Sequence, residues 1–211
     1  SMIEHAKSVK LGVKKSLLVV DMPKNTYSNS KLALKNAKKI LKTVGCDAVK
    51  IENNGKNFNI INSIVSSEKP DIIFHLAAQP LVRESYLNPV DTWSTNVMGT
   101  ISILEAARSL NKKTIFIGIT TDKVYQNNEW IYSYRENDRL GGVDPYSSSK
   151  AATELAINSW KKSFANNSEL HISTARAGNV IGGGDWSKDR IIPDLFIPVS
   201  YKHLTLPTSD L

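Results

Sequence analysis

The chain is poor in several things at once, and each shortage narrows what it can be. It has a single cysteine, Cys46. That excludes an internal disulfide and a cysteine-based zinc site, and leaves a small buried apolar role for the side chain. No apolar run reaches the roughly 18 residues that a membrane helix needs. The first ten residues, SMIEHAKSVK, have no apolar signal core, so the sequence predicts a cytoplasmic protein without a membrane partner. Glycine is scarce at the front. Only Gly12, Gly45 and Gly55 occur in residues 1–70, and none follows a strand and opens a helix. The first strand-to-helix turn, in SLLVVDMPKNTYSNSKLALKNAKKIL (16–41), contains none. A turn of that kind cannot cradle a phosphate on glycine amides.

What is abundant is lysine, and its location matters. The net charge is +7, yet residues 1–70 carry 13 Lys against 5 Asp and Glu, while residues 71–211 carry 14 Lys and Arg against 15. The whole excess lies in the first third. Lys35, Lys38, Lys39 and Lys42 fall at helical spacing opposite Leu34, Ala37 and Leu41, which describes the solvated face of an amphipathic helix. No aromatic residues interleave with these lysines, so nucleic acid is not an expected partner. The charge step also places a change of character near residues 65–70.

At 211 residues the chain can bury one good core, with a further fragment. Strand and helix patterns alternate: strands over 16–20, 48–52, 71–78, 113–120 and 170–178, with helices over 30–44, 57–68, 89–110 and 146–165. Residues 124–145 read as a polar loop carrying Tyr125, Trp130, Tyr132 and Tyr134, and 181–186 as a turn. This alternation predicts an α/β protein with a parallel sheet, Rossmann-like and three-layered.

The chemistry collects at strand ends. In DPYSSSK, Tyr146 and Lys150 share one helix face. A phenol titrates near 10, and an ammonium beside it would favour the phenolate. Alone the pair is weak, since a Tyr packed on a Lys stem has the same spacing. Its surroundings strengthen it. Thr121, Asp122 and Lys123 follow one strand; Ala77, Ala78 and Gln79 follow another; Asn179, Asp185 and Trp186 follow a third. Open parallel sheets place ligands at those carboxyl ends.

HLAAQPLVRESY, TNVMGT, TTDKVYQNNEW, YRENDRLGGVDPYSSSKAATEL and RAGNVIGGGDWSKDRIIPD together resemble the extended short-chain dehydrogenase/reductases of the NAD-dependent epimerase/dehydratase kind, most closely the CDP-glucose 4,6-dehydratases, over about residues 66–195. Asp122-Lys123 matches that branch, where other nucleotide-sugar dehydratases have Asp-Glu. The resemblance implies a lyase of nucleotide-sugar metabolism with NAD as cofactor, CDP-glucose as substrate and a homo-oligomeric assembly. Tyr146 would take the proton of the sugar 4-hydroxyl while hydride passes to NAD. Lys150 would hold the cofactor ribose, and Thr121 would bond the 4-oxygen. Lys123, once neutral, would remove the C5 proton, and Asp122 would protonate the leaving 6-hydroxyl. A neutral lysine requires burial or a cationic neighbour. Ala77, Ala78 and Gln79 would border the cofactor; Arg83, Asn179 and Arg190 would contact substrate. His75 reads as structural, and Asn96 as a bridge between backbones.

Residues 3–54 resemble a different family, the ketopantoate hydroxymethyltransferases, which are magnesium-dependent (β/α) barrels. HAKSVKLGVKKSLLVVDMP and TYSNSKLALKNAKKILKTVGCDAVKIE carry the likeness. By position, Asp21 and Glu52 would be metal ligands and Lys50 would touch the keto acid. Lys24 stands where that family has an aromatic residue, and Asn53-Asn54 where it has Gly-Gly. The sequence therefore reads as composite: residues 1–62 of one origin, 63–196 of another, and 197–211 a foreign tail. The joint lies in NFNIINSIVSSEKP. A non-catalytic α/β fragment is the third reading of the chain.

Overall fold

Asn29 stops the first turn and starts a helix. Its backbone is extended, and its side chain accepts the N–H of Leu32 at 2.9 Å. The helix, α2 (Ser30–Val44), ends at Gly45 with φ 69°, where a left-handed residue closes the last carbonyls. It buries Ala33, Ala37, Ile40 and Val44, and its lysines face solvent as the spacing predicts. The computed structural model describes residues 1–52, 58–165, 168–182 and 190–200. Asp185, Trp186 and the tail beyond residue 200 lie outside the described residues.

Around α2 the order is α1 (Met2–Gly12), β1 (Val19–Asp21), α2, β2 (Ala48–Lys50), α3 (Phe58–Glu68), β3 (Ile72–His75), α4 (Val82–Leu87) and α5 (Pro89–Trp93). A π-turn over Ser94–Met98 leads into α6 (Gly99–Arg108). Then come β4 (Thr114–Thr121), α7 (Pro145–Phe164), β5 (Leu170–Ala177) and α8 (Ile191–Ser200). All strand pairs are parallel, giving the expected Rossmann-like α/β architecture. The strands form two hydrogen-bonded sheets rather than one, β1-β2 and β3-β4-β5.

Each sheet has its own core. The first gathers Leu18, Val20 and Met22 with Ala33, Ala37 and Ile40. The second gathers Ile73, Phe116 and Ile172 with Ile103, Leu104 and Ile157. Helix α3 joins them, giving Ile60 to the first and Val65 to the second. It packs against both α2 and α6, and α6 packs on α7, so these helices form a row over one side of the strands. On the other side Ile72 and Phe74 of β3 are 45% and 55% exposed.

The sequence missed α1, α4 and α8. It also overran the short strands, because the apolar runs at 16–20 and 71–78 are longer than the paired segments. The single helix expected over 89–110 is broken by the π-turn. Helix α7 begins as predicted, with Asp144 and Ser147 capping each other and Pro145 in the first turn.

Phe116 is fully buried at the centre of the second core. Phe116→Ala should lower unfolding free energy by about 3–5 kcal/mol in urea titrations. A loss under about 1 kcal/mol would show that this core is not the one that holds the sheet.

Candidate active site

The crevice forms where β3 and β4 end and α7 begins. Thr121 is the last residue of β4, and Asp122 and Lys123 lie in the single 3-10 turn that follows. The Thr121 side chain accepts from Lys123 N–H at 3.3 Å and donates to Asp122 Oδ1 at 3.0 Å. Tyr146 sits in the first turn of α7, and its phenol lies near enough to the Thr121 side chain to be influenced by it. Asp122 and Arg190 are close enough to act on the same phenol electrostatically. Tyr146, Thr121 and Asp122 thus share one crevice, as the motifs require.

One expectation is corrected. Burial pushes the Tyr146 phenol above its ordinary value, and the nearby Thr121 side chain is the largest influence in the other direction. Lys150 is not the group that lowers it. The Lys150 ammonium donates to the Ile119 carbonyl at 3.0 Å, and burial brings it down to about 8. The lysine is inside the crevice wall, tied to the β4 backbone.

Lys123 is placed differently from the sequence-based expectation. Its side chain is 43% exposed, and it pairs with Asp122 at 3.3 Å and with Asn179 Oδ1 at 3.3 Å. The side chain is thus exposed and lacks burial, one of the two features that would prepare it as a base.

Ala77 and Ala78 are half-buried after β3. Gln79 is turned inward: its amide donates to Leu81 O and Thr92 Oγ1, and its carbonyl oxygen accepts from Leu81 N–H. That makes Gln79 a loop brace rather than a cofactor contact. Asn96, 1% exposed, is the bridge the sequence suggested. It accepts from Gln79 N–H at 2.8 Å and donates to Ser149 Oγ at 2.8 Å. Arg83 is exposed on α4, the helix whose Ser85 meets the start of α7. Arg190 precedes α8 and is half-buried.

His75 is structural. It is buried, its Nε2 meets Thr100 Oγ1 at 2.9 Å, and desolvation brings it down to about 4.

The other turn, β1 to α2, opens on a cleft of about 600 Å³ lined by Asp21, Lys24, Asn25, Tyr27 and Glu52. Lys50 donates to Asp21 at 2.6 Å and to Glu52, so an ammonium bridges the two carboxylates that the second resemblance offered to magnesium. Among the described residues no group of three ligating side chains could hold a metal. Cys46 is buried and unpaired, and burial raises its thiol.

The residues missed by the sequence reading are Ser85, whose Oγ accepts Tyr146 N–H at 3.1 Å, and Glu154 and Arg176. Glu154 stands one turn beyond Lys150 on the same face, a spacing that could have flagged it.

A parallel sheet with a Tyr–Lys pair, a threonine and an acid at one strand end defines a Rossmann-like α/β protein with a nucleotide-type crevice. The chain belongs to the GDP-mannose 4,6 dehydratase family, whose pattern matches residues 13–183. It is 49% identical over 145 residues to the CDP-glucose 4,6-dehydratase of Salmonella typhimurium, a match covering 66% of this chain and 40% of that protein. It is also 54% identical over 79 residues to the 3-methyl-2-oxobutanoate hydroxymethyltransferase of Pelagibacter ubique, covering 37% of this chain and 30% of that one. The chain therefore spans well under half the length of these curated relatives. Among solved structures it resembles a DesIV double mutant, a dTDP-glucose 4,6-dehydratase from Streptomyces venezuelae with NAD bound. The TM-score is 0.65 at 19% identity, over 98% of this chain and 61% of that one. No described helix is long and apolar enough to cross a membrane.

The His75 ring gives a pH test. Its folded value of about 4 lies below the ordinary 6.5, so the native state binds fewer protons than the unfolded one between these limits. Stability is then complete above about 6.5 and is lost as pH falls toward 4, by up to about 3 kcal/mol. His75→Gln should flatten that part of the stability profile in urea titrations run from pH 7 to 4. An equally steep profile in the variant would assign the loss to other groups.

Proposed function

We propose that the β3–β5 part of this chain carries the acid–base half of an NAD-dependent 4,6-dehydratase site for a CDP-linked glucose. The observation that carries the reading is the placement of Thr121 and Asp122 at the end of β4 against Tyr146 in the first turn of α7, with Lys150 buried one helical turn away. The substrate identity rests on the 49% identity to the Salmonella enzyme and on Asp122-Lys123.

The nicotinamide end of the cofactor fits the residues present. Ala77 and Ala78 leave room for a flat ring, and the Lys150 ammonium is close to the β4 backbone where a ribose hydroxyl could reach it. NAD, when bound, supplies a reversible hydride acceptor. The chain supplies the proton handling. Tyr146 takes the proton of the sugar 4-hydroxyl at its phenolic oxygen, and Thr121 keeps that oxygen oriented. Lys123, having passed its own proton to Asp122, accepts the C5 proton, and Asp122 gives the proton it received to the departing 6-hydroxyl, which leaves as water. Sugar entry must first part Lys123 from Asp122, since a lysine held by a carboxylate has no lone pair to offer.

The pyrophosphate end does not fit. The β1–α2 turn presents Asp21 and Glu52, and the first amides of α2 are served by its own Asn29. Carboxylates in that position repel a pyrophosphate. We infer that residues 1–62 have a hydroxymethyltransferase-like origin, in keeping with the 54% match, the separate β1-β2 sheet and its separate core. The 211-residue chain should therefore turn over CDP-glucose negligibly, and formation of a 4-keto-6-deoxy sugar by the purified chain would refute that inference.

A hybrid tests the dehydratase reading itself. Residues 66–195 placed in the frame of the Salmonella enzyme should restore water loss from CDP-glucose, followed by mass spectrometry. Tyr146→Phe in that hybrid should lower kcat by at least about 100-fold. A folded hybrid that binds NAD but releases no water would overturn the assignment.

A further inference from the structure

Between Lys123 and Tyr146 the chain makes a long excursion, residues 125–144, that the proposed mechanism does not use. Its two ends flank the crevice, one following Asp122–Val124 and the other entering the cap of α7 at Asp144. The excursion is pinned near its base. Gln126 N–H donates to Arg139 O, and Gly141 N–H donates to Val124 O, both at 2.9 Å. Its aromatic residues then stack in series. Tyr125 lies 5.0 Å from Tyr134 at 20°, and Tyr134 lies 5.4 Å from Trp130.

The first ring of that series carries a cation. The Arg176 guanidinium, from the end of β5, lies 4.8 Å from the Tyr125 centroid. Its Nη1 donates to Glu136 O at 2.8 Å, on the returning limb of the excursion. The guanidinium is itself clamped. Its Nε and Nη2 donate to the two carboxylate oxygens of Glu154 at 3.0 and 3.2 Å. The side chains of Arg176 and Glu154 are 18% and 6% exposed. Glu154 also accepts from Thr120 Oγ1, the residue before Thr121. One buried ion pair thus touches the strap, the Tyr146 helix and the strand end that carries Thr121. Such a pair is expensive to desolvate and is poorly explained as a source of stability alone.

We propose that Arg176 is a positioning residue: forked onto Glu154, it holds the 125–140 strap against the crevice through Tyr125 and Glu136 and, by way of Glu154 and Thr120, ties the strap to α7 and to the end of β4. The planar fork is essential to this role. A lysine keeps the charge but cannot bond both carboxylate oxygens and lie flat on Tyr125 at once. The inference concerns the same site as the proposed dehydratase reading and rests on it for its meaning. Its test needs neither cofactor nor substrate, so a failed turnover assay leaves it untouched.

The strap contains two tryptic sites, Arg135 and Arg139, and α7 contains Lys161 and Lys162 as internal references. Under limited trypsin digestion of the full chain, Arg176→Lys and Tyr125→Leu should each speed cleavage after Arg135 about fivefold or more, the scale of one lost cation–π contact. Cleavage after Lys161 should not change. In tyrosine ring-¹³C spectra the Tyr146 phenol should titrate at a different pH in Arg176→Lys than in the parent chain, because the start of α7 and the end of β4 are no longer tied through the fork. Tyr27, far from the pair in sequence and in the first core, should not move. Unchanged strap cleavage, uniform acceleration at every site, or an unmoved Tyr146 titration in a folded Arg176→Lys chain would each overturn the proposal. Should Arg176→Lys not fold, Tyr125→Leu leaves the buried pair intact and decides the strap contact alone.

Discussion

The crevice depends on one carboxamide. Asn96 is buried where no water can replace its partners, so every polar atom around it must be matched from within the protein. Its side chain takes the N–H of Gln79, gives to the Gln79 carbonyl at 3.3 Å, and gives to Ser149 of α7. Its backbone carbonyl accepts the hydroxyls of Thr100 and Thr153. These bonds fix three elements relative to each other: the loop after β3, the long helix at its π-turn, and α7. A carbonyl oxygen has two lone pairs, which is how Asn96 O can serve two threonines. Beside these bonds, Tyr146 is placed by the cap of its own helix and by Ser85.

Seen from that anchor, the two halves of the molecule are unequal. The β3-β4-β5 sheet is braced by polar bonds that end at the crevice. The β1-β2 sheet is held by apolar contact with α1, α2 and α3 and by nothing that reaches the crevice among the described bonds. Helix α3 is the connection, and its two faces serve two cores. Parallel sheets are ordinarily covered on both sides. Here β3 buries Ile73 and His75 under the helices while Ile72 and Phe74 face outward. The helix row accounts for the buried side and makes the alternation along β3 physically consistent.

Much of this was legible in the sequence, for reasons that differ by element. The helix pattern of α2 and the Asp144–Pro145 start of α7 are local signals, and the structure keeps both. The clustering of Thr121, Asp122 and Tyr146 followed from strand ends of a parallel sheet, a topological rule rather than a local one. What was not legible was side-chain direction. Lys150 was expected to stand beside the phenol, yet its ammonium donates to the Ile119 carbonyl of β4. Gln79 was expected at the cofactor, yet a buried loop had more use for an amide that can donate and accept. The Glu154–Arg176 pair joins residues 22 apart in the chain, on a helix and the following strand, and no local period reveals it.

Those misplacements bear on how Tyr146 could work. A buried phenol is a weak acid, and its pKa moves the wrong way for a base unless something stabilises the phenolate. In this crevice the influences that lower the phenol are Thr121 and the charge of Arg190, while Lys150 is itself made less basic by burial. A ligand that displaced the Lys150 ammonium from Ile119 toward its own hydroxyls would bring a positive charge nearer the phenol. The apo crevice is thus set for binding before it is set for proton transfer. The β1–α2 turn works against that first step. Its Asp21–Lys50–Glu52 cluster satisfies its own charges, and a pyrophosphate arriving there would find an ammonium already spoken for and two carboxylates that repel it. The half-site that can move a proton and the turn that should hold the cofactor impose opposite demands, and their conflict is written in the same two carboxylates that the first third brings to its strand ends.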